Sequence, residues 1–293
     1  MPRRSFNVLI ATDASRPARA GVAAALAFPW PDGTRAQGLM VNAVSGLNRW
    51  GRRARAAYVP WLRHEAARVR RRLRRRWADA EVVVVNPPVV KAIVEQSRTW
   101  AADVIVLGSR GRGTLQRALL GSVSRDVVHE ADGAVLVAKG KTRSPQRLLI
   151  GLDGSVRSTR AVAFVSRLPP PPRGRVTLLA VVEPTSSTSI GRLPRSVRSV
   201  LAAEMAALER ERMTQARRKL SVAARRLTRA GWTVEKIVRR GIPLSELLKT
   251  ASTRRADVTI VGARGATGLK RLLLGSVAEG TLAHSSGSVL VVK

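Results

Sequence analysis

Short apolar runs alternate with amphipathic stretches along the chain. In the first half, apolar runs at residues 6–10, 36–44, 82–85, 104–107 and 134–138 predict five β-strands. Segments with helical periodicity lie between them, beginning with an alanine-rich helix from Pro17 to about Phe28. Strands that alternate with helices over about 140 residues predict a parallel sheet with helices on both faces.

The same order begins again after a polar stretch at residues 140–146. Residues 148–155 repeat residues 8–15, so that Asp153 is the counterpart of Asp13. The second copy is longer, mainly in its second helical region at residues 195–230. We therefore predict an α/β chain of two tandem doubly wound domains with five-stranded parallel sheets, at residues 1–140 and 147–293.

A glycine motif, G-x2-G-x9-G-S, follows the fourth apolar run of each copy. Its residues are Gly108, Gly111, Gly121 and Ser122 in the first copy and Gly262, Gly265, Gly275 and Ser276 in the second. Glycine lets a ligand approach the backbone, and unpaired N–H groups at a helix start bind phosphate well. A single copy is more typical of a strand-to-helix connection that needs positive φ, but two copies at one spacing favour phosphate binding. If strands one and four are neighbours, the motif meets Asp13 at the carboxyl edge of the sheet.

Composition narrows the class of protein. The chain has no cysteine and three scattered histidines, which excludes a disulfide framework, a thiolate metal site and a histidine metal cluster. The apolar run near the N-terminus is too short for a signal sequence, and no run approaches the roughly 20 residues of a membrane span. We expect a cytoplasmic protein. Its net charge of +34 predicts attraction to polyanions.

The motifs together resemble the universal stress protein family, in particular its nucleotide-binding branch. A strand that ends in Asp, a Gly-x-Pro type of turn, an Ala-Asp pair and the glycine motif occur in the same order in both copies. The resemblance covers nearly the whole chain. It implies a Rossmann-like fold of the adenine nucleotide alpha hydrolase type and ATP, with or without Mg²⁺, in each copy.

By this resemblance, adenosine lies near the ends of the first and second strands, and ribose and phosphates lie on the glycine motif. The residues implied near adenosine are Ala11, Thr12, Asp13, Ala43, Gly151, Leu152, Asp153 and Val181. Those implied at ribose and phosphates are Gly108, Arg110, Gly111, Gly121, Ser122, Val123, Ser124, Gly262, Arg264, Gly265, Gly275, Ser276 and Val277. Because Ala278 replaces the hydroxyl of Ser124, we expect the second site to bind more weakly.

Catalytic groups are not evident near the motif. Neither glycine loop carries a carboxylate, and His129 and His284 are expected to be partly exposed helix residues. Ser122 has no base in view to make it a nucleophile. We therefore expect a nucleotide-dependent binding or regulatory protein of the stress response, at most a slow ATPase.

The basic stretch at residues 49–76 contains twelve arginines and a single acid, Glu65. Its apolar residues recur at helical spacing, at Leu62, Ala66, Val69, Leu73 and Trp77. Two interpretations stay open, a solvated amphipathic helix and a surface for nucleic acid or an anionic membrane. The alternative function is therefore polyanion binding, without base stacking because aromatics are only 3% of the chain.

The last strand of each copy is an apolar edge that must be covered. By the resemblance, the two edges pair with each other in an internal pseudo-dimer. A homodimer, formed through the longer helix at residues 195–230, is left open.

Overall fold

The computed structural model describes residues 5–15, 18–42, 51–86, 88–109, 120–140, 143–184, 194–263 and 274–293. The elements of the first half are β1 (Asn7–Thr12), α1 (Ala18–Ala27), β2 (Arg35–Val41), α2 (Arg52–Arg74), β3 (Glu81–Val85), α3 (Val89–Thr99), β4 (Val104–Gly108), α4 (Ser122–Glu130) and β5 (Ala134–Ala138). Those of the second half are β6 (Arg147–Gly151), α5 (Val156–Val165), β7 (Arg175–Val182), α6 (Arg195–Arg229), β8 (Thr233–Arg240), α7 (Pro243–Thr253), β9 (Val258–Gly262), α8 (Ser276–His284) and β10 (Ser288–Val292).

All ten strands form one sheet, in the order β3-β2-β1-β4-β5-β10-β9-β6-β7-β8. Neighbouring strands within each half are parallel, and β1 pairs with β4 as expected. The second half repeats this order, with β6 beside β9. The predicted doubly wound α/β fold is confirmed.

The helices cover both faces of the sheet, as the alternating pattern predicts. On one face, α1, α2, α5 and α6 pack on a core that contains Val22, Leu73, Val162 and Leu227. On the other face, the core joins strand residues to Ile93, Val127, Leu247 and Leu282, which lie on α3, α4, α7 and α8 respectively. Successive residues of β1 alternate between the two cores, so a strand that is apolar throughout is buried on both sides.

The two halves join through β5 and β10, which run antiparallel and which we call the central pair. Leu136 lies opposite Leu290, and every residue of both strands is buried. The lysine after each strand reaches the last helix of the other half. Lys139 Nζ donates to the carbonyl of Ser285 at 2.9 Å, and Lys293 Nζ donates to that of His129 at 2.9 Å. The expected pairing of the two edges within one chain is confirmed.

Element boundaries differ from the predicted ones mainly at strand ends. The first strand begins at Asn7 and extends to Thr12, so two residues expected in a loop belong to the strand. The basic helix forms as predicted, and its apolar stripe is buried at Leu62, Ala66 and Leu73. Among the described residues, no helix is both long enough and apolar enough to cross a membrane.

The acid of each Ala-Asp pair fastens the first strand of its half to the fourth. Asp103 accepts a hydrogen bond from the backbone N–H of Asn7 at 2.9 Å. Asp257 accepts from the N–H groups of Gln146 and Arg147, both at 2.9 Å, and its side chain is only 13% exposed. Burial alone would raise the pKa of Asp257, but the hydrogen bonds from Arg147, Gln146 and Arg143 outweigh it and lower the pKa.

Replacing Asp257 with Asn should lower the free energy of unfolding at pH 7 by about 1–3 kcal/mol, because buried N–H donors lose a charged acceptor. Since the folded chain has the lower pKa, the carboxylate stabilises the fold above its ordinary pKa of about 4 and this stabilisation disappears as pH falls below that value. Urea unfolding of wild type and Asp257→Asn from pH 7 to pH 3 should show the difference shrinking.

The control for that series is Asp132→Asn. Asp132 pairs with Arg98 on the surface, at 2.6 Å, where both side chains are more than half exposed. Its loss should therefore change stability less than Asp257→Asn does at pH 7. A difference between wild type and Asp257→Asn that stays constant down to pH 3 would mean that packing, and not charge, is responsible.

Candidate functional site

The end of β1 and the end of β4 lie side by side at the carboxyl edge of the first half. Ile10 pairs with Val106, which brings the strand ends at Thr12 and Gly108 together. This is where the strand order reverses, because β1 has β2 on one side and β4 on the other. The second half repeats the arrangement with β6 and β9. Such switch points are where doubly wound sheets bind ligands.

The third glycine of each motif hydrogen-bonds to the residue after the strand and precedes the first residue of a helix. The N–H of Gly121 donates to the carbonyl of Ser109 at 2.9 Å, and the N–H of Gly275 donates to that of Ala263 at 2.8 Å. Both glycines are N-cap residues, and neither helix has a side-chain cap. The first N–H groups of α4 and α8 therefore lack the side-chain acceptor that commonly satisfies such groups.

The two helix starts differ in charge, which sequence comparison of the glycine motif alone missed. The fourth residue of α4 is Arg125, whereas the fourth residue of α8 is Glu279. Glu279 Oε1 lies 2.5 Å from His129 Nε2 of the other half. An acid in the first turn competes with an anion for the positive end of the helix. Aligning the two copies beyond the Gly-Ser pair would have revealed the difference.

Ser124 is oriented toward the protein. Its hydroxyl donates to the carbonyl of Gly108 at 2.7 Å, and the residue is 5% exposed. Ala278 is 1% exposed at the equivalent position of α8. The hydroxyl is therefore used to hold α4 on the end of β4, and its absence in the second half does not by itself remove a phosphate donor. Ser122 and Ser276, by contrast, are exposed on the first turns.

The turns after β1 and β6 have the same construction. Asp13 Oδ1 accepts from the N–H of Ser15 at 2.9 Å, and Asp153 Oδ1 accepts from the N–H of Ser155 at 2.9 Å. The residue after each acid has positive φ, 61° at Ala14 and 84° at Gly154. Each acid thus shapes the turn that leads into the next helix, beside the adjoining motif.

Strand register shows which residues are equivalent at the ends of β2 and β7. Ala11 lies opposite Leu39, and Gly151 lies opposite Leu179. Counting two residues onward, Val41 is the counterpart of Val181, whereas the expected adenine contact Ala43 lies outside the described residues. Val41 is buried at the end of β2, and Val181 is partly buried.

Most other expected site residues lie at the two carboxyl edges. Ala11, Thr12 and Leu152 are buried, and Val123 is 37% exposed at the start of α4. Gly151 and Gly262 end β6 and β9, and Val277 packs partly against the core. Five expected residues lie outside the described residues, namely Ala43, Arg110, Gly111, Arg264 and Gly265.

A polar group at the end of β2 was not foreseen. Asn42 is 2% exposed; its amide donates to Asn86 Oδ1 at 2.9 Å and its carbonyl oxygen accepts from the Tyr58 hydroxyl at 2.8 Å. Asn86 stands where the second half has Gly241, which has a φ of 150°, but Asn86 itself does not have positive φ. Its side-chain oxygen instead accepts the hydrogen bond from Asn42, which ties the residue after β3 to the end of β2. An asparagine directly after an apolar strand was the available signal.

Known proteins are similar to this chain in sequence and in fold. The universal stress protein family matches residues 5–139 and again residues 145–293. A universal stress protein of Mycobacterium tuberculosis is 32% identical over 228 residues, which cover 73% of this chain and 68% of that protein. One of Methanocaldococcus jannaschii is 39% identical over 79 residues, 27% of this chain and 49% of its own length.

The fold as a whole is similar to the crystal structure of a universal stress protein from Archaeoglobus fulgidus. The two have a TM-score of 0.60 at 20% identity, and the similarity covers 99% of both chains. Because two family matches together span nearly the whole sequence, the chain belongs to the universal stress protein family, as a tandem member with two copies of its domain.

Proposed function

We propose that this universal stress protein binds ATP at the carboxyl edge of each half and acts in the cytoplasm as a nucleotide-dependent regulatory protein of the stress response. The observation that carries the proposal is the pair of uncapped helix starts at Gly121 and Gly275. Each starts beside a strand end at a topological switch point. Backbone N–H groups in that position suit the phosphates of a nucleotide.

The residues present fit such a ligand. The first-turn N–H groups of α4 and α8, with the exposed hydroxyls of Ser122 and Ser276, would hold phosphate oxygens. The turns at Asp13 and Asp153 would adjoin ribose and adenine, next to the apolar ends of β2 and β7. Arg110, Gly111, Arg264 and Gly265 would complete the glycine loops, and Mg²⁺ would be held through the phosphates. The chain with bound nucleotide and the chain without it would be two states, and a regulatory partner could distinguish them.

ATP should raise the melting temperature of the wild-type chain. At a concentration about 100 times Kd, one filled site stabilises the fold by about 2.7 kcal/mol, which corresponds to a rise of about 5 °C. Ser122→Asp with Ser276→Asp should abolish this rise, because a carboxylate on the first turn repels phosphate while it favours the helix. Differential scanning calorimetry with and without ATP measures both effects.

Ser196→Asp is the matched control, since it places the same new charge on the exposed first turn of α6, away from the carboxyl edge. Its melting temperature should rise with ATP as in the wild type. If ATP does not stabilise the wild-type chain, or protects the Ser122→Asp/Ser276→Asp variant equally well, the proposed site is wrong.

We expect the two sites to bind ATP unequally, because Arg125 belongs to the first helix start and Glu279 to the second. Glu279→Gln should tighten the weaker site about two- to fivefold, the usual size of a charge effect at a helix N-terminus, while it keeps a hydrogen-bonding group for His129. Ser124→Ala should leave both affinities within about twofold. Isothermal titration with a two-site fit gives both affinities. A tenfold loss of ATP affinity in Ser124→Ala would show that the Ser124 hydroxyl is a phosphate ligand after all.

Polyanion binding by α2 is a second candidate, favoured by the exposure of its arginines on the side away from the core. Contacts of this kind go to the phosphate backbone and weaken steeply with salt. Retention of duplex DNA should fall by about tenfold or more between 50 and 200 mM salt and should be indifferent to sequence. A chain that does not retain DNA at 50 mM salt lacks this function.

A further inference from the structure

A concave cavity of about 310 Å³ lies between α1 and α2, beside the turn that follows β1. Thr12 and Ala14 form its border with that turn, and Val22 and Val69 contribute apolar wall. Its charged lining consists of Arg19, Arg68, Arg71, Arg72, Arg75 and Glu65. We call this cavity the arginine pocket. Five guanidinium groups against one carboxylate give it a strongly positive potential.

Helix geometry places four of these arginines on one stripe. Counted from Arg68, the others follow at three, four and seven residues, the last being Arg75, the C-cap residue of α2. These are the spacings that share a helix face. Like charges at those spacings destabilise a helix by a few tenths of a kcal/mol for each pair. Arg19 adds a further charge from α1. The arrangement costs stability in the free chain, and an anion with several charges would offset that cost.

Most of the pocket arginines have no protein partner among the described residues. Arg68 Nη1 lies 2.7 Å from Glu65 Oε1, and Glu65 is 7% exposed. The side chains of Arg19, Arg71, Arg72 and Arg75 make no hydrogen bond or ion pair within the described ranges.

Neighbouring arginines outside the pocket are engaged with the protein. Arg74 pairs with Glu81, and Arg76 donates to the carbonyl of Phe28 at 2.8 Å. Because the protein supplies acceptors for Arg74 and Arg76 but none within the described residues for the side chains of Arg19, Arg71, Arg72 and Arg75, the pocket has the donors that a ligand would need.

The second half does not reproduce the pocket. Buried Ala216, Leu220 and Leu227 of α6 correspond to Leu62, Ala66 and Leu73 of α2, 154 residues earlier. By that correspondence, Lys219 replaces Glu65 and Val222 replaces Arg68. On α5, where the offset is the 140 residues that relate Asp13 to Asp153, Thr159 takes the place of Arg19. Arg225, Arg226 and Arg229, the counterparts of Arg71, Arg72 and Arg75, line a more open surface with Ser166.

We propose that the arginine pocket binds a compact polyphosphate, a chain of a few phosphate groups. Guanidinium groups match phosphate oxygens in pairs, and several of them around one cavity select a ligand with several closely spaced charges. The volume is at the lower end of the roughly 300–1,000 Å³ of small-ligand pockets, which suits such a chain. The Thr12 hydroxyl accepts from the N–H of Ala14 at 3.2 Å, so its own proton is free to be donated. This pocket shares Thr12 with the expected adenosine contacts of the first half, but its arginines belong to neither proposed ATP site.

Titration with inorganic tripolyphosphate at 50 mM salt tests the assignment. Arg71→Gln with Arg75→Gln should weaken binding at least tenfold, whereas the matched variant Arg225→Gln with Arg229→Gln should stay within twofold of wild type. All four positions are exposed, so urea midpoints should confirm that both variants fold. Ser122→Asp with Ser276→Asp should bind tripolyphosphate as the wild type does, even though it is expected to lose ATP.

Four results would overturn the proposal. Absence of binding at 50 mM salt would show that the pocket does not take this anion. Equal weakening in the two arginine variants would show attraction to overall charge, and loss of binding in Ser122→Asp/Ser276→Asp would assign the anion to the carboxyl edge. If the chain binds duplex DNA but not tripolyphosphate, α2 is an open nucleic-acid surface instead of one wall of a polyphosphate site.

Discussion

The pairing of β5 with β10 is the interaction on which the whole arrangement depends. Each half ends in a short strand that is apolar on both faces and that, alone, would leave a row of backbone N–H and C=O groups unpaired. Antiparallel pairing of these two strands satisfies both edges and lets the two cores continue from one half into the other. Neither half can be described as a finished sheet without the other.

Antiparallel pairing also has a functional consequence. All strands of a half run parallel to its last strand, so the two carboxyl edges face opposite ends of the common sheet. One ligand cannot bridge both edges, and the two sites are separate. The contacts between the halves lie at the central pair and beside it, where His129 meets Glu279. Glu279 belongs to the second helix start, which links one candidate site to the junction of the halves.

The two halves share a fold but not a charge distribution. Arg125 and Glu279 occupy the same place on the last helices, and Glu65 and Lys219 the same place on the second ones. The cores, by contrast, keep apolar residues at equivalent positions. Packing constrains a buried position to a narrow choice of side chains, whereas the surface of a repeated domain is free to change. Differences in function between the halves are therefore to be sought in their surface charges.

The sequence by itself determined the strand and helix order, the repeat, the buried stripe of α2 and the place of the glycine motifs, because hydrophobic periodicity and glycine are local signals. Tertiary structure alone decided which residues meet. In the folded chain, the Ser124 hydroxyl donates to the carbonyl of Gly108, and Val181 is the counterpart of Val41. Arginines from α1 and α2 line one cavity. These outcomes depend on strand register and helix packing between residues far apart in the chain, which no local pattern contains.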